Sequence, residues 1–319
     1  MTTDNEKEIV KRKLIILGSG PAGLSAALYA ARAHLDPLVL TGMVLHGQAS
    51  NTDTIENYPG FPEGVGGTEL GQLFQTQAER FGAEIEMDHA VAVDLEHRPL
   101  TIESYGKKYE TDSLIISTGA DPRKLGIPGE KEFTGKGVSY CGTCDGWFFK
   151  DKDIIVVGGG DSALEEGLFL TRFANSVTII HRRDELRAGA ILRKRAFEHP
   201  KIDFIWDTIV TEIVGDEKIN AVRLENTKTG ESSMHETDGV FIFIGHIPNS
   251  DLFEGQLEMD DMGYVITNKY METSIPGVYA AGEITDPHFR QVITSAGMGA
   301  AAAIKATHYL ENLEAEQNE

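Results

Sequence analysis

The sequence is poor in cysteine, with two in 319 residues. That scarcity excludes an extracellular disulfide framework, which needs several pairs. It also excludes a closed structural zinc site built on thiolates, because such sites take four ligands. Basic residues are few as well: 29 Lys plus Arg against 50 Asp plus Glu, a formal net charge of −21. Nucleic-acid and anionic-membrane surfaces need a cationic face, so neither partner is expected, although a local basic cluster can still serve one phosphate. No run approaches the roughly 18 apolar residues of a membrane span. The opening MTTDNEKEIVKRK is charged and lacks the apolar core of a signal peptide. The expected compartment is the cytoplasm. The remaining composition, 41% hydrophobic and 25% charged, is that of a soluble globular chain long enough for two domains.

What is present centres on the two cysteines, three positions apart in Cys141-Gly142-Thr143-Cys144-Asp145-Gly146. The spacing lets two thiols close a small disulfide ring and open it again, as dithiol exchange requires. A strand running into a glycine-rich turn lies on each side, over residues 13–23 and 153–163. In the first, Leu14-Ile15-Ile16-Leu17 is an apolar run of the buried parallel-strand kind. Gly18, Ser19, Gly20, Pro21, Ala22 and Gly23 then fit G-x-G-x-x-G, and Leu24, Ala27, Leu28 and Ala31 recur at helical spacing. Strand, glycines and helix in register predict a dinucleotide site. The glycines permit a tight turn and close backbone approach, and the helix N-terminus attracts a pyrophosphate. A glycine turn with no ligand is the plainer alternative.

The unit recurs. Ile154-Ile155-Val156-Val157 leads into Gly158, Gly159, Gly160, Asp161, Ser162 and Ala163, a G-x-G-x-x-A variant, with a helix from about Leu164. Residues 37–40 and 176–180 read as the second strands of the two copies, and runs 112–119 and 238–245 also correspond. Two copies of one nucleotide-binding architecture are therefore expected. A redox dithiol between them implies electron flow from one nucleotide to the other and then to sulfur. The position after each second strand separates the copies, since a carboxylate there would hold a ribose hydroxyl. The first copy has Thr41 instead. The second has His181, Arg182 and Arg183, with Arg187 expected one helical turn on. Cations at this place suit a 2′-phosphate and favour NADP over NAD, against the alternative of a solvated basic helix start.

Residues 46–67 form an irregular loop fixed by proline and glycine, and residues 84–112 alternate apolar and polar as a small β-meander does. Gly277-Val278-Tyr279-Ala280-Ala281-Gly282 is another buried strand into a turn. Glu283, Arg290 and Gln291 follow, then a small-residue helix over 294–308. Such a helix packs closely, against either a flat cofactor ring or another helix. Residues 1–12 read as a solvated tail and 311–319 as a loose acidic end.

Taken together, GSGPAGLSAALYAARA, TIENYPGFP, IISTGA, CGTCDGWFF, VVGGGDSALEE, IHRRDELRA, IGHIPN and TSIPGVYAAGEITDPHFRQVITSAG resemble the low-molecular-weight thioredoxin reductases over nearly the whole chain. The resemblance implies an α/β fold of two Rossmann-like, three-layer dinucleotide-binding domains, each with a small β-meander. The NADPH domain, residues 122–247, would be inserted between two parts of an FAD domain, 1–121 and 248–319. It implies that Gly18 to Gly23, Thr41, Gln48, Asn57, Gly282, Glu283, Arg290 and Gln291 contact FAD. Gly158, Gly160, Asp161, Ser162 and Ala163, with His181, Arg182, Arg183 and Arg187, would hold NADPH. The sequence departs from the family at Glu283, where an Asp is usual, and at His46, where the family has Gly before Gly-Gln. Glu keeps the charge with one more methylene, and His46 is expected to be passive.

The activity so implied is hydride transfer from NADPH to FAD, then reduction of the Cys141–Cys144 disulfide, then exchange with thioredoxin. Cys144 would face the flavin, and Asp145 would supply the proton that a leaving thiolate needs, unless it only caps a turn. Both the dithiol and the nicotinamide need the flavin, so the inserted domain is expected to rotate about residues near 118–124 and 245–250. A homodimer is implied by the resemblance as well. Two other readings remain open: a related disulfide reductase serving another thioredoxin-like or peroxiredoxin-linked acceptor, and a redox sensor without turnover.

Overall fold

The computed structural model describes residues 8–52 and 54–318. The chain forms two compact units, Met1–Asp121 with Ile247–Glu319, and Pro122–His246.

The first unit opens with β1 (Glu8–Leu17), α1 (Pro21–Arg32), β2 (Leu38–Leu40), α2 (Gly67–Arg80) and β3 (Glu84–Glu86). It continues through β4 (Ala92–Asp94), β5 (Leu100–Glu103) and β6 (Lys107–Ile116). The sheet order is β3-β2-β1-β6-β5-β4. β1 lies parallel to β2 and β6, whereas β4, β5 and β6 form an antiparallel meander. Alternate residues of each inner strand face opposite layers. Leu14, Ile16 and Ile115 pack on the helices, and Ile15, Leu17, Leu114 and Ile116 pack on the other side.

Part of the expected N-terminal tail is strand. From Glu8 to Arg12, β1 pairs with residues 107–111 of β6, and Lys11 Nζ meets Glu110 Oε2 at 2.9 Å. This half has no apolar run of its own, so its order comes from the partner strand. The earlier residues of that tail lie outside the described residues.

The crossing between units is a two-stranded sheet of β7 (Ala120–Pro122) and a later strand, His246–Pro248. The second unit then contains β8 (Val138–Ser139), α3 (Gly142–Asp145), β9 (Asp153–Val157), α4 (Asp161–Leu170), β10 (Ser176–Ile180), α5 (Ala190–Phe197) and β11 (Ile202–Ile205). A meander of β12 (Thr208–Gly215), β13 (Ile219–Asn226) and β14 (Ser232–Glu236) precedes β15 (Gly239–Ile242). The parallel sheet is ordered β11-β10-β9-β15-β8. Ile154, Val156 and Phe241 face the helices, while Ile155, Val240 and Ile242 pack on Val222 and Leu224 of the meander. The unit is thus helix, sheet and meander in three layers.

The strand pairing with β7 is β16 (His246–Pro248); β17 (Val278–Ala280) then joins the first unit's sheet beside β6, and α6 (Val292–Gln317) ends the fold. α6 is longer than its expected span of 294–308. The supposed loose end is helical as far as Gln317, and Lys13 pairs with Glu314 there; Glu319 lies outside the described residues. Beyond its first turns, the small residues serve a helix–helix contact rather than a cofactor ring. Ala302, Ala303 and Ala306 share a core with Ala26, Ala27 and Ala30 of α1. A Cβ on Gly299 would sit 1.9 Å from the Ala22 carbonyl oxygen. Because that obstacle is backbone, Gly299→Ala is expected to destabilise the fold by about 3 kcal/mol. An unchanged melting temperature would contradict so close a packing.

Candidate active site

In the first unit β1 delivers its chain into Gly18, which has φ +105°. A Cβ there would lie 2.3 Å from Ser117 O, and one on Gly23 would lie 1.9 Å from Gly18 O. These two positions therefore admit only glycine. α1 starts at Pro21 with Gly20 as N-cap and no side-chain cap, so its first N–H groups are left for a ligand. A cavity of about 620 Å³ opens over this turn. Gly18, Ser19, Gly20, Pro21, Ala22, Thr41, Gln48, Gly282 and Glu283, all expected FAD contacts, line it.

Four expected contacts lie outside that lining. Gly23 is packed beneath the turn. Asn57 Nδ2 donates to Gln291 Oε1 at 3.1 Å, and Arg290 precedes that pair. His46 is buried, its Nε2 2.8 Å from Gln75 Oε1, with its ring against Gly71. It fills space, consistent with a passive role. The structure adds His89, Asp121 and Asn249 to the wall. His89 and Asn249 come from separate loops and Asp121 from β7, and they carry no shared motif. Asp121 accepts a hydrogen bond from Gln48 Nε2.

Burial pushes the Glu283 carboxyl up to about 7, with Asp286 and Asp121 adding to the rise and the Arg290 charge opposing it. The folded protein therefore keeps a proton that the unfolded chain, with its ordinary value of 4.5, releases earlier. Stability from this group is lost as pH rises between those two values. Glu283→Gln is expected to stabilise the cofactor-free protein by about 2 kcal/mol at pH 8 and not at pH 4. Denaturant unfolding at the two pH values measures this, and an equal effect at both would contradict it.

The second glycine turn follows β9. A Cβ on Gly158, φ +151°, would meet Phe243 O at 2.5 Å and Ala163 Cβ at 2.7 Å. Ala163 is buried against that glycine, which explains alanine as the third small residue. Gly160 is the N-cap of α4, again without a side-chain cap, and Ser162 lies in its first turn. Asp161 is committed to its own chain, since its Oδ1 accepts from Gly189 N at 2.7 Å.

The basic segment differs from expectation in two respects. Residues 182–189 are not helical; α5 begins only at Ala190. The loop is held instead by Arg187 N donating to Gly159 O at 2.8 Å and by the Asp161 bond. His181 does not join the exposed cations. It is 5% exposed, and a Cβ on Gly159 would lie 2.3 Å from its Nδ1. Burial, reinforced by the three neighbouring arginines, lowers its pKa and favours the neutral ring. Arg182, Arg183 and Arg187 are exposed. Neighbouring carboxylates are drawn elsewhere: Asp184 to Lys228 at 2.9 Å and Glu185 to Arg193 at 3.0 Å. Among the described residues none of the three guanidinium groups is in an ion pair, a set suited to an incoming dianion.

In the same unit Cys141 and Cys144 are joined by a disulfide, S–S 2.05 Å and Cα–Cα 5.3 Å. Cys141 caps α3, its Sγ accepting from Cys144 N at 3.2 Å. Gly142 and Gly146 seat the turn on α4: added Cβ atoms would lie 2.3 Å from Glu166 Oε2 and 3.0 Å from Leu170 Cδ2. Asp145 Oδ2 accepts from Ser139 Oγ at 2.6 Å. Trp147 and Phe148 just beyond are 55% and 52% exposed, an apolar surface beside the disulfide. Sequence reading passed over Ser139, which lies outside the quoted motifs, and gave no role to Glu166, the last residue of VVGGGDSALEE.

Among the described residues no helix is long and apolar enough to cross a membrane, and no group of three or more His, Cys, Asp or Glu could hold a metal ion. Residues 12–299 match the family model of the pyridine nucleotide-disulphide oxidoreductases. The chain is 50% identical over 305 residues to a thioredoxin reductase of Streptomyces coelicolor, covering 95% of each chain. It is 51% identical over 298 residues to one of Mycolicibacterium smegmatis, covering 93% of this chain and 96% of that one. The crystal structure of thioredoxin reductase from Streptococcus pyogenes is similar at a TM-score of 0.90 and 44% identity, covering 95% and 99%. The chain belongs to the pyridine nucleotide-disulphide oxidoreductases, and among them to the thioredoxin reductases.

Proposed function

We propose that this protein is an NADPH-dependent flavoprotein that reduces the disulfide of thioredoxin. The observation that carries the reading is the Cys141–Cys144 bond, held in one unit with a glycine turn and three exposed arginines that form no ion pair among the described residues. The unit containing residues 1–121 and 248–319 is the FAD domain, and residues 122–247 are the NADPH domain. The glycine turn, the uncapped α1 and the cavity of about 620 Å³ fit FAD. Arg182, Arg183 and Arg187 beside the uncapped α4 fit a nucleotide with a 2′-phosphate. FAD supplies two-electron chemistry between a hydride donor and sulfur.

The chain's own residues have distinct tasks in this scheme. The first turn of α1 holds the pyrophosphate, and Glu283 holds the hydroxyl-bearing chain of the flavin. Asp145 gives a proton to the sulfur that leaves when the Cys141–Cys144 bond is reduced. One thiolate then attacks the partner's disulfide and the other resolves the mixed disulfide. Exposed Trp147 and Phe148 offer that partner an apolar contact beside the sulfurs. The sulfurs and the second glycine turn share one unit, and each needs the flavin of the other. The cycle therefore includes reorientation about the crossings near residues 118–124 and 245–250. The protein acts as a cytoplasmic homodimer in this reading, which rests on the family resemblance and is measured by sedimentation.

Purified protein is expected to carry flavin, to be bleached by NADPH without oxygen, and to regain its colour when oxidised thioredoxin is added. A colourless chain that cannot be reconstituted with FAD would remove the electron path.

A further inference from the structure

The hydroxyl of Ser139 lies where the redox turn and its acid meet. Ser139 ends β8, is 4% exposed, and precedes the first cysteine by two residues. Its Oγ accepts from Cys141 N at 3.1 Å and lies 2.6 Å from Asp145 Oδ2 and 3.2 Å from Cys141 O. A hydroxyl has one proton to donate. The shorter contact to a carboxylate takes it, and a charge-assisted bond of this length is the stronger one. One buried oxygen thus fixes both the backbone of Cys141 and the carboxylate of Asp145.

We propose that Ser139 is a positioning residue that aims Asp145 at the cleaved disulfide and sets the pH range over which the disulfide is reduced. The inference rests on the reading of Asp145 as the proton donor. In that step the disulfide takes up two electrons and one proton from reduced flavin and a second proton from Asp145. The S–S bond breaks, two S–H bonds form, the flavin is left oxidised, and the Asp145 carboxylate regains its proton from water. Donation by a hydroxyl favours the carboxylate over the acid, so Ser139 trades some acid strength range for geometry. Ionisable groups around the turn include Glu166 of α4 beneath Gly142, Tyr140 with its hydroxyl on Glu130 at 2.9 Å, Lys150 with its ammonium 5.9 Å from the Trp147 ring centre, and the two thiols once reduced.

The test is the rate at which the Cys141–Cys144 disulfide is reduced when oxidised, flavin-loaded protein is mixed with NADPH, measured against pH, for the parent, Asp145→Asn, Ser139→Ala and Ser139→Thr. Asp145→Asn identifies the limb of the profile that belongs to Asp145 by removing it. Ser139→Ala should keep that limb but move it up by about one pH unit and lower the plateau by about tenfold. Ser139→Thr, which restores the hydroxyl, should return the limb towards its original place. If Asp145→Asn removes the limb and Ser139→Ala leaves it unmoved, the role of Ser139 is overturned and that of Asp145 stands. The role of Ser139 is equally overturned if Ser139→Thr shifts as far as Ser139→Ala. A limb that survives Asp145→Asn overturns both.

Discussion

Replacing Cys141 or Cys144 by serine is expected to abolish reduction of a protein disulfide while leaving flavin reduction by NADPH near its original rate. The two half-reactions use different atoms. Hydride transfer needs the nicotinamide and the flavin, whereas exchange needs a nucleophilic sulfur and a second one to resolve the mixed disulfide. Serine is close in size, and its oxygen at position 141 can accept the hydrogen bond that Cys144 N now gives to Cys141 Sγ. The turn should therefore keep its seat on α4 in both variants, so that lost turnover reports chemistry rather than unfolding. The expected loss is complete within detection, more than about a thousandfold, since no other cysteine is available. Stopped-flow bleaching by NADPH measures the first half-reaction, and NADPH oxidation with a disulfide acceptor measures the whole. Either variant turning over a protein disulfide at the parent's rate would contradict the proposed route.

The second large effect concerns nucleotide choice. Arg182→Ala with Arg187→Ala should raise the Michaelis constant for NADPH by about 100-fold or more, since each well-formed charge-assisted hydrogen bond contributes about 1.5–3 kcal/mol. The constant for NADH, which has no 2′-phosphate, should change little. The maximal rate should change less than the Michaelis constant for NADPH, because the 2′-phosphate is remote from the transferred hydride. The local ion pairs make this a clean experiment. Asp184 and Glu185 are already satisfied by Lys228 and Arg193, so removing two guanidinium groups strands neither of them. Equal losses with both nucleotides, or a parent that prefers NADH, would show that the three arginines are an ordinary charged surface.

Both glycine turns were legible in the sequence because geometry leaves so little choice there. Where a Cβ would fall 2.3 Å from Ser117 O or 2.5 Å from Phe243 O, only glycine fits, and the pattern survives in the letters. The apolar runs before Gly18 and Gly158 were equally plain, since strands covered on both faces admit few polar residues. What escaped depends on distant partners. Residues 8–12 look like a tail until β6 pairs with them, and 311–317 look loose until they continue the long helix α6. His181 reads as a cation beside two arginines, yet burial against Gly159 favours its neutral form. Asn57 and Gln291 are far apart in sequence and meet each other outside the cavity. Ser139 is one serine among many until its oxygen is found 2.6 Å from Asp145.

The central claim is that the two glycine turns and the disulfide work as one catalytic path ending on a protein. Steady-state oxidation of NADPH with oxidised thioredoxin in large excess tests it most directly. Continuous, saturable turnover that depends on thioredoxin and stops when it is exhausted is the predicted result. Consumption of NADPH in proportion to enzyme alone, halting while thioredoxin remains oxidised, would contradict it.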